Sequence, residues 1–255
     1  MAIRKKKILT KDLITSFNFE AGMIVSKKYQ ILTKLGQGYE GEVYIVKELL
    51  TGIERAAKFF FPHRNPHNKT VKFYAKKLHK LRNCPILIQY ITQESLVFQG
   101  VSVTYLVSDY VDGGPLDEFL LRQKGKKLSP FKALHLLHAL AKGIEEIHFM
   151  REYHGDLHTK NVLVQRHGLH FHLKVIDMFH WGTARPENIR DDVCDLIKLF
   201  YDSMGGKKAY PTLPKEVKDI CCGLKRSLIT KKFKHAGKLR VYLENMEFAD
   251  AHDWA

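Results

Sequence analysis

From Pro62 to Gln93 the chain contains no aspartate or glutamate, although Arg64, Lys69, Lys72, Lys76, Lys77, Lys80 and Arg82 all fall in that interval. A helix placed there has no carboxylate of its own to offer a cation. Cysteine is sparse too: Cys84, Cys194, Cys221 and Cys222 show no metal-ligand spacing and two are adjacent, which argues against a disulfide framework and fits a reducing compartment. No stretch approaches the roughly 20 apolar residues of a membrane span. The N-terminal MAIRKKKILTKDLITSF is basic but lacks the apolar core of a secretory signal, so a cytoplasmic protein is expected. Internal repeats and low-complexity linkers are also missing, which leaves a globular chain.

What is present is 255 residues with 45% hydrophobic content, ample for one sizeable core or two lobes of moderate size. The net charge of +15 is uneven, with basic runs at residues 62–93 and 207–240. Such runs either attract an anionic surface, a nucleic acid or an acidic protein, or are solvated helix faces.

The first half reads as mostly β. Tyr29–Gly41 runs into a glycine-rich turn, Glu42–Glu48 follows, Ile53–Phe61 is a third strand, and Gln89–Phe98 and Ser102–Val107 are joined by Gln99-Gly100. Between them Thr70–Arg82 is an amphipathic helix with Val71, Tyr74, Leu78 and Leu81 on one face. After Asp112-Gly113-Gly114 the pattern turns helical, first at Leu116–Arg122. Ser129-Pro130 then caps a long helix reaching about Arg151, with Leu134, Leu137, Ala141, Ile144 and Ile147 as its buried stripe. Asn161–Val164 and Leu173–Ile176, parted by RHGLHFH, form a hairpin ending at Asp177, and helices resume near Asp192 and Lys215.

Three features carry chemistry. HGDLHTKNVLV, His154 to Val164, sets Asp156 and Asn161 in a loop ahead of an apolar strand. GQGYEG supplies Gly36, Gly38 and Gly41, where the backbone can approach a ligand closely. A strand follows rather than a helix, which suits a loop lying over phosphates better than a dinucleotide fingerprint, with an ordinary tight turn as the alternative. Lys58 stands in the apolar strand AAKFFF, where a buried ammonium needs an anion, and a nucleotide phosphate would serve, with a lysine snorkelling at a strand edge as the alternative. Asp156, Asn161 and Asp177 add the hard oxygen donors that Mg²⁺ prefers.

In this order the residues resemble the eukaryotic-type protein kinases from about Gly22 to Phe248, and AGMIVSKKYQILTKLGQGYEGEVY is similar to the opening of bacterial serine/threonine kinases. The resemblance implies an α+β, two-lobed fold: a basic N-terminal extension at 1–22, a small mostly-β N-lobe at 23–108 and a larger helical C-lobe at 109–248, with 22–248 forming one domain. It implies ATP and Mg²⁺ as cofactors and a hydroxyl acceptor on a protein. Gly36, Gly38, Gly41, Val43, Ala56 and Lys58 would contact the nucleotide, Asp109, Tyr110 and Val111 would form the hinge that receives adenine, and Ser108 would stand just before it. Asp156 would orient or deprotonate the acceptor, Asn161 and Asp177 would hold Mg²⁺, and Asp192 would begin the central helix of the C-lobe.

The chain also departs from that family. The catalytic-loop arginine is Gly155, the following lysine is His158, the metal-binding DFG reads Asp177-Met178-Phe179, and no carboxylate lies near Tyr74, where the family's helix glutamate pairs with the strand lysine. Asp177 and Asp192 are close in sequence, with ARPE at Ala184–Glu187 as a remnant of the activation segment. The missing arginine then implies that no phosphorylated segment needs to be held. A short segment also resembles aminoglycoside and other small-molecule kinases, so a small-molecule, sugar or lipid kinase and a nucleotide-binding pseudokinase scaffold stand as alternatives.

Overall fold

The computed structural model describes residues 13–168, 170–179 and 182–246, and it falls into two units, Met1–Lys77 with Gln89–Tyr110 and Leu78–Ile88 with Val111–Ala255. Among the described residues no helix is long and apolar enough to cross a membrane.

The first unit is built on a six-stranded sheet in the order β1-β2-β3-β4-β6-β5. Its strands are β1 (Ile24–Val25), β2 (Tyr29–Gln37), β3 (Gly41–Glu48), β4 (Glu54–Phe60), β5 (Tyr90–Phe98) and β6 (Val101–Asp109), all paired antiparallel. Alternation sorts the side chains onto two faces. Tyr44, Val46, Ala57, Phe59, Tyr105 and Val107 form one core, while Phe60 and Leu106 meet Val71 and Tyr74 of helix α1 (Lys69–Lys80) on the other side. Directly opposed residues share a face. The rows Val43–Lys58–Leu106 and Ile45–Ala56–Ser108 therefore place Val43, Ala56, Lys58 and Ser108 together on the α1 side. The β5–β6 turn carries Gln99 and Gly100 at φ 51° and 74°, the paired positive angles of a tight hairpin whose twist matches its strands.

Phe17 and Phe19 belong to this sheet's core, although they fall within the expected extension at 1–22. They are 4% and 8% exposed and pack on Phe59, Phe61 and Phe98. Their alternate spacing points both rings the same way, a pattern masked by the basic composition before them. Residues 1–12 lie outside the described residues.

The second unit contains α2 (Leu116–Leu121), α3 (Pro130–Phe149), α4 (Pro186–Ser203), α5 (Gly206–Ala209), α6 (Lys215–Cys221), α7 (Arg226–Lys232) and α8 (Ala236–Glu244), with a sheet of β7 (Gly114–Pro115), β8 (Val162–His167) and β9 (His170–Val175). Ser129 caps α3 by accepting the Lys132 N–H, and the expected stripe of Leu134, Leu137, Ala141, Ile144 and Ile147 is buried. Leu136, Leu140 and Gly143 are buried as well, so α3 is wrapped on more than one side. At Gly143 a Cβ would fall 2.2 Å from Ile86 Cδ1, which shows how closely the 78–88 segment lies against the helix.

Two expected boundaries move. The hairpin arms extend to His167 and from His170, so most of RHGLHFH is strand and the turn is confined near Gly168, at φ 62°. Helix α4 starts at Pro186 and not at Asp192, because Arg185-Pro186-Glu187 supplies an N-cap position, an N1 proline and a first-turn acid. Asp192 is consequently inside the helix and fully buried.

Phe17→Ala should lower the unfolding free energy by about 3–5 kcal/mol, the usual cost of emptying a buried aromatic site. Urea unfolding followed by circular dichroism measures it. A loss below about 0.5 kcal/mol, the range of neutral surface changes, would mean that residues 13–22 are dispensable to the core.

Candidate functional site

The β2–β3 hairpin is held close to β4 by a glycine. A Cβ at Gly41 would sit 1.9 Å from the Phe59 carbonyl oxygen, so no larger residue permits this approach. Gly36 pairs with Val43, and Gly38 donates its N–H to the Gly41 carbonyl at 2.9 Å. At both positions a Cβ would meet nothing within 4 Å, so the fold itself does not demand glycine there. From β4, the Lys58 Nζ lies 2.9 Å from Glu40 Oε2, 3.5 Å from Tyr74 Oη and 4.6 Å from the centre of the Tyr74 ring. Glu40 went unremarked in the sequence, although it is the acidic residue within GQGYEG.

Glu42, two residues on, has a different task. Its buried carboxylate accepts from Ser16, Lys34 and Tyr44, tying residues 13–22 to the sheet. Burial opposes its ionisation, yet these hydrogen bonds outweigh that and hold its pKa below the usual value. At the other end of the sheet, Ser108 is buried with Oγ 3.5 Å from the Ala56 carbonyl oxygen. Asp109 donates its N–H to the Gln89 carbonyl at 3.1 Å and takes Arg55 on its carboxylate at 2.8 Å. Tyr110 is the last residue of the first unit, and at Val111 the chain returns to the second.

In the second unit, the loop before β8 is organised by Asp192. Its carboxylate accepts the N–H groups of His154 at 2.7 Å and Gly155 at 2.8 Å, and His148 Nε2 lies 3.1 Å away. His148 accepts the Ala236 N–H on Nδ1, which leaves the proton on Nε2 for Asp192. Gly155 takes φ 83°, in the left-handed region that favours glycine. An arginine there would be strained, a backbone reason for its absence that stands apart from anything an arginine might hold.

The same loop fixes the chain around Asp177. His154 Nδ1 accepts the Asp156 N–H at 3.3 Å, and its Nε2 donates to the Ile176 carbonyl at 2.9 Å. The Phe179 N–H returns to the His154 carbonyl at 2.8 Å, and the Ile176 N–H reaches the Asn161 carbonyl at 3.0 Å. Asp177 sits between these clamps at φ 56°, an angle aspartate tolerates better than most residues, while Met178 is buried in the core. Asn161 Nδ2 donates to both the carbonyl and Oδ2 of Asp156, at 2.9 and 3.1 Å. The Asp156 carboxylate remains about half exposed, with His158 Nε2 3.6 Å away. Of these supporting groups, His148 was legible only as one more step of a helical stripe, following Leu137, Ala141 and Ile144 at the spacing of one face.

A sheet unit bearing a glycine hairpin and an inward lysine, followed by a helical unit with an Asp-Asn loop and a second clamped aspartate, defines a protein-kinase fold. Residues 29–201 match the family described as Protein kinase domain, and the chain belongs to that family. It is 26% identical over 253 residues to YbdM of Bacillus subtilis, named as a probable serine/threonine-protein kinase, covering 91% of this chain and 94% of that one. A probable serine/threonine-protein kinase of Streptomyces coelicolor is 30% identical over 161 residues, which is 62% of this chain but 23% of that longer protein. The crystal structure of the Mycobacterium tuberculosis PknI kinase domain, a double mutant, superposes with a TM-score of 0.63 at 18% identity, covering 89% of this chain and 97% of that one.

One further group lies beside the loop. Burial, and then the negative charges of Asp192, Asp191 and Asp156, push the Asp195 carboxyl up to about 7, while a hydrogen bond from the Leu157 backbone works against them. In the unfolded chain the same carboxyl ionises near 3.8. Folding therefore takes up a proton between these values, so Asp195 favours the folded state below 3.8 and that contribution is lost as pH rises to about 7. Asp195→Asn removes the dependence and keeps an oxygen for Leu157. Its unfolding midpoint should exceed that of the wild type by a margin that grows from about pH 4 to about pH 7 and then levels off. A margin constant across that range, measured by thermal melts, would show an ordinary carboxyl.

Proposed function

We propose that the protein transfers the γ-phosphate of ATP to a hydroxyl and acts as a serine/threonine protein kinase. The observation that carries this reading is the Asp156–Asn161 pair: the amide hydrogens of Asn161 are spent on Asp156, which orients the half-exposed carboxylate and turns the amide oxygen the other way. Asp156 can then align an acceptor hydroxyl and take its proton, a role worth about 10²–10⁴-fold in rate.

The donor set suits a hard cation. The Asn161 amide oxygen and the Asp177 carboxylate are the groups that would hold Mg²⁺, which when bound neutralises charge on the nucleotide's phosphates. The nucleotide side is assigned to the first unit. Gly36 and Gly38, where the fold leaves open space, admit phosphate oxygens to the backbone, and Lys58 contacts the α/β-phosphates. Val43 and Ala56 share the Lys58 face and flank adenine, with Ser108 behind it and Asp109, Tyr110 and Val111 offering backbone groups. The catalytic domain is taken to run to residue 248 and to include the Phe17–Phe19 segment ahead of residue 22. Exposed Lys69, Lys72 and Lys76 on α1 give the 62–93 run a surface for an acidic protein or another anionic partner.

A small-molecule acceptor is the second reading, favoured by the short path from Asp177 to the start of α4 at Pro186. Radiolabelled phosphate transfer from Mg-ATP to a protein extract, set against a panel of aminoglycosides, sugars and lipids, separates the two. Asp156→Ala should lower turnover about 10²–10⁴-fold while leaving ATP affinity nearly intact, and Asp177→Ala should also weaken Mg-dependent binding. Wild-type turnover no greater than that of the Asp156 variant would overturn the enzyme reading.

A further inference from the structure

We infer that Glu40, on the glycine hairpin, is the positioning residue for Lys58. It supplies from the β2–β3 turn the carboxylate that α1 does not carry, and the inference rests on the kinase reading above. Three observations converge. The first is the empty interval: with no acid from Pro62 to Gln93, the helix offers Lys58 the phenol and ring of Tyr74 and nothing anionic.

The second is how Glu40 is delivered. Its carbonyl accepts the Phe61 N–H at 2.8 Å, Gly38 and Gly41 are bonded across the turn, and the close approach at Gly41 seats the hairpin against β4. The carboxylate therefore comes from a backbone pinned on both sides, and not from a freely swinging loop. The third is the pair itself, at 2.9 Å with side chains only 18% and 20% exposed. The neighbouring acid cannot substitute, since Glu42 is fully buried and bonded to Ser16, Lys34 and Tyr44.

An ammonium carries three N–H donors, so pairing with Glu40 and contacting a phosphate are compatible. Glu40 moves no proton. It fixes the direction of Lys58 along the face shared with Val43 and Ala56, and it links that direction to the turn proposed to cover the phosphates. Loss of such an orientation falls on the transition state more than on ground-state binding.

The test uses the full chain with Mg-ATP and the best acceptor from the phosphotransfer screen. Glu40→Gln keeps the shape and removes the charge, and it should lower kcat about 10- to 100-fold, as expected for a misplaced group, while ATP KM changes by less than about threefold. The double variant Glu40→Gln with Tyr74→Glu supplies the rescue. A glutamate at 74 brings its carboxylate to where the ring centre lies, 4.6 Å from the Lys58 Nζ, a small shift from an ion pair. It should return kcat to within about fivefold of the wild type if the two sites are coupled through Lys58. A merely structural role for Glu40 would lower the melting temperature and would not be repaired by a buried acid on α1. Wild-type kcat in Glu40→Gln, or a loss that the second carboxylate fails to recover, overturns the inference alone. Absence of transfer by the wild type overturns the kinase reading, and the inference with it.

Discussion

A fully buried carboxylate has to be satisfied, and in the second unit that requirement shapes the loop on which the proposed chemistry depends. Leaving Asp192 ionised without partners would cost several kcal/mol. The His154 and Gly155 backbone N–H groups and His148 each contribute about 1.5–3 kcal/mol as hydrogen bonds to a charge, enough together to offset it. Because two of these donors are backbone groups, the loop has few other conformations that satisfy the charge. His154 then passes the constraint on, through Asp156 on one side and Ile176 and Phe179 on the other. The two aspartates proposed for catalysis are thus set by one charge that takes no part in it.

This accounts for Gly155 better than the absence of a phosphate ligand does. To give its N–H to Asp192 while the His154 ring reaches Ile176, the backbone at 155 turns through φ 83°. A side chain there would pay a strain of order 1 kcal/mol or more. The missing arginine is therefore compatible with either a phosphorylated or an unphosphorylated segment. The length of chain between Asp177 and Pro186 is the stronger guide to how acceptors are received.

The sheet was legible because apolar and aromatic runs are punctuated by turn residues such as Gln99-Gly100, which placed the ends of β3 to β6 within two residues. The long helix was legible through Ser129-Pro130 and its stripe. Composition misled where it was averaged over too many residues, since a basic start concealed the alternation of Phe17 and Phe19. Asp192 is legible as a residue but not as an interior helix position, because Arg185-Pro186-Glu187 reads equally as the end of the preceding segment and as the start of α4. His148 and Glu40 were out of reach for a more general reason. Each acts on a partner distant in sequence, Asp192 and Lys58, and single-chain patterns report faces and caps but not which charges meet across a fold.

The Lys58 pair shows what such a meeting can change. A strand lysine facing an apolar sheet surface needs an anion, but nothing in that requirement specifies the element from which the anion comes. A glutamate on a helix would tie the lysine to the position of that helix. Glu40 ties it instead to a hairpin anchored on β4 itself, through Phe61 and the close contact at Gly41. Lysine and partner then belong to one sheet, Lys58 on β4 and Glu40 in the turn that leads directly into β3, whose register with β4 is set by backbone hydrogen bonding. With a carboxylate for the lysine supplied from the turn, α1 can be wholly basic on its solvent face. The long carboxylate-free interval and the glutamate inside the glycine turn are, on this argument, two consequences of a single relocation.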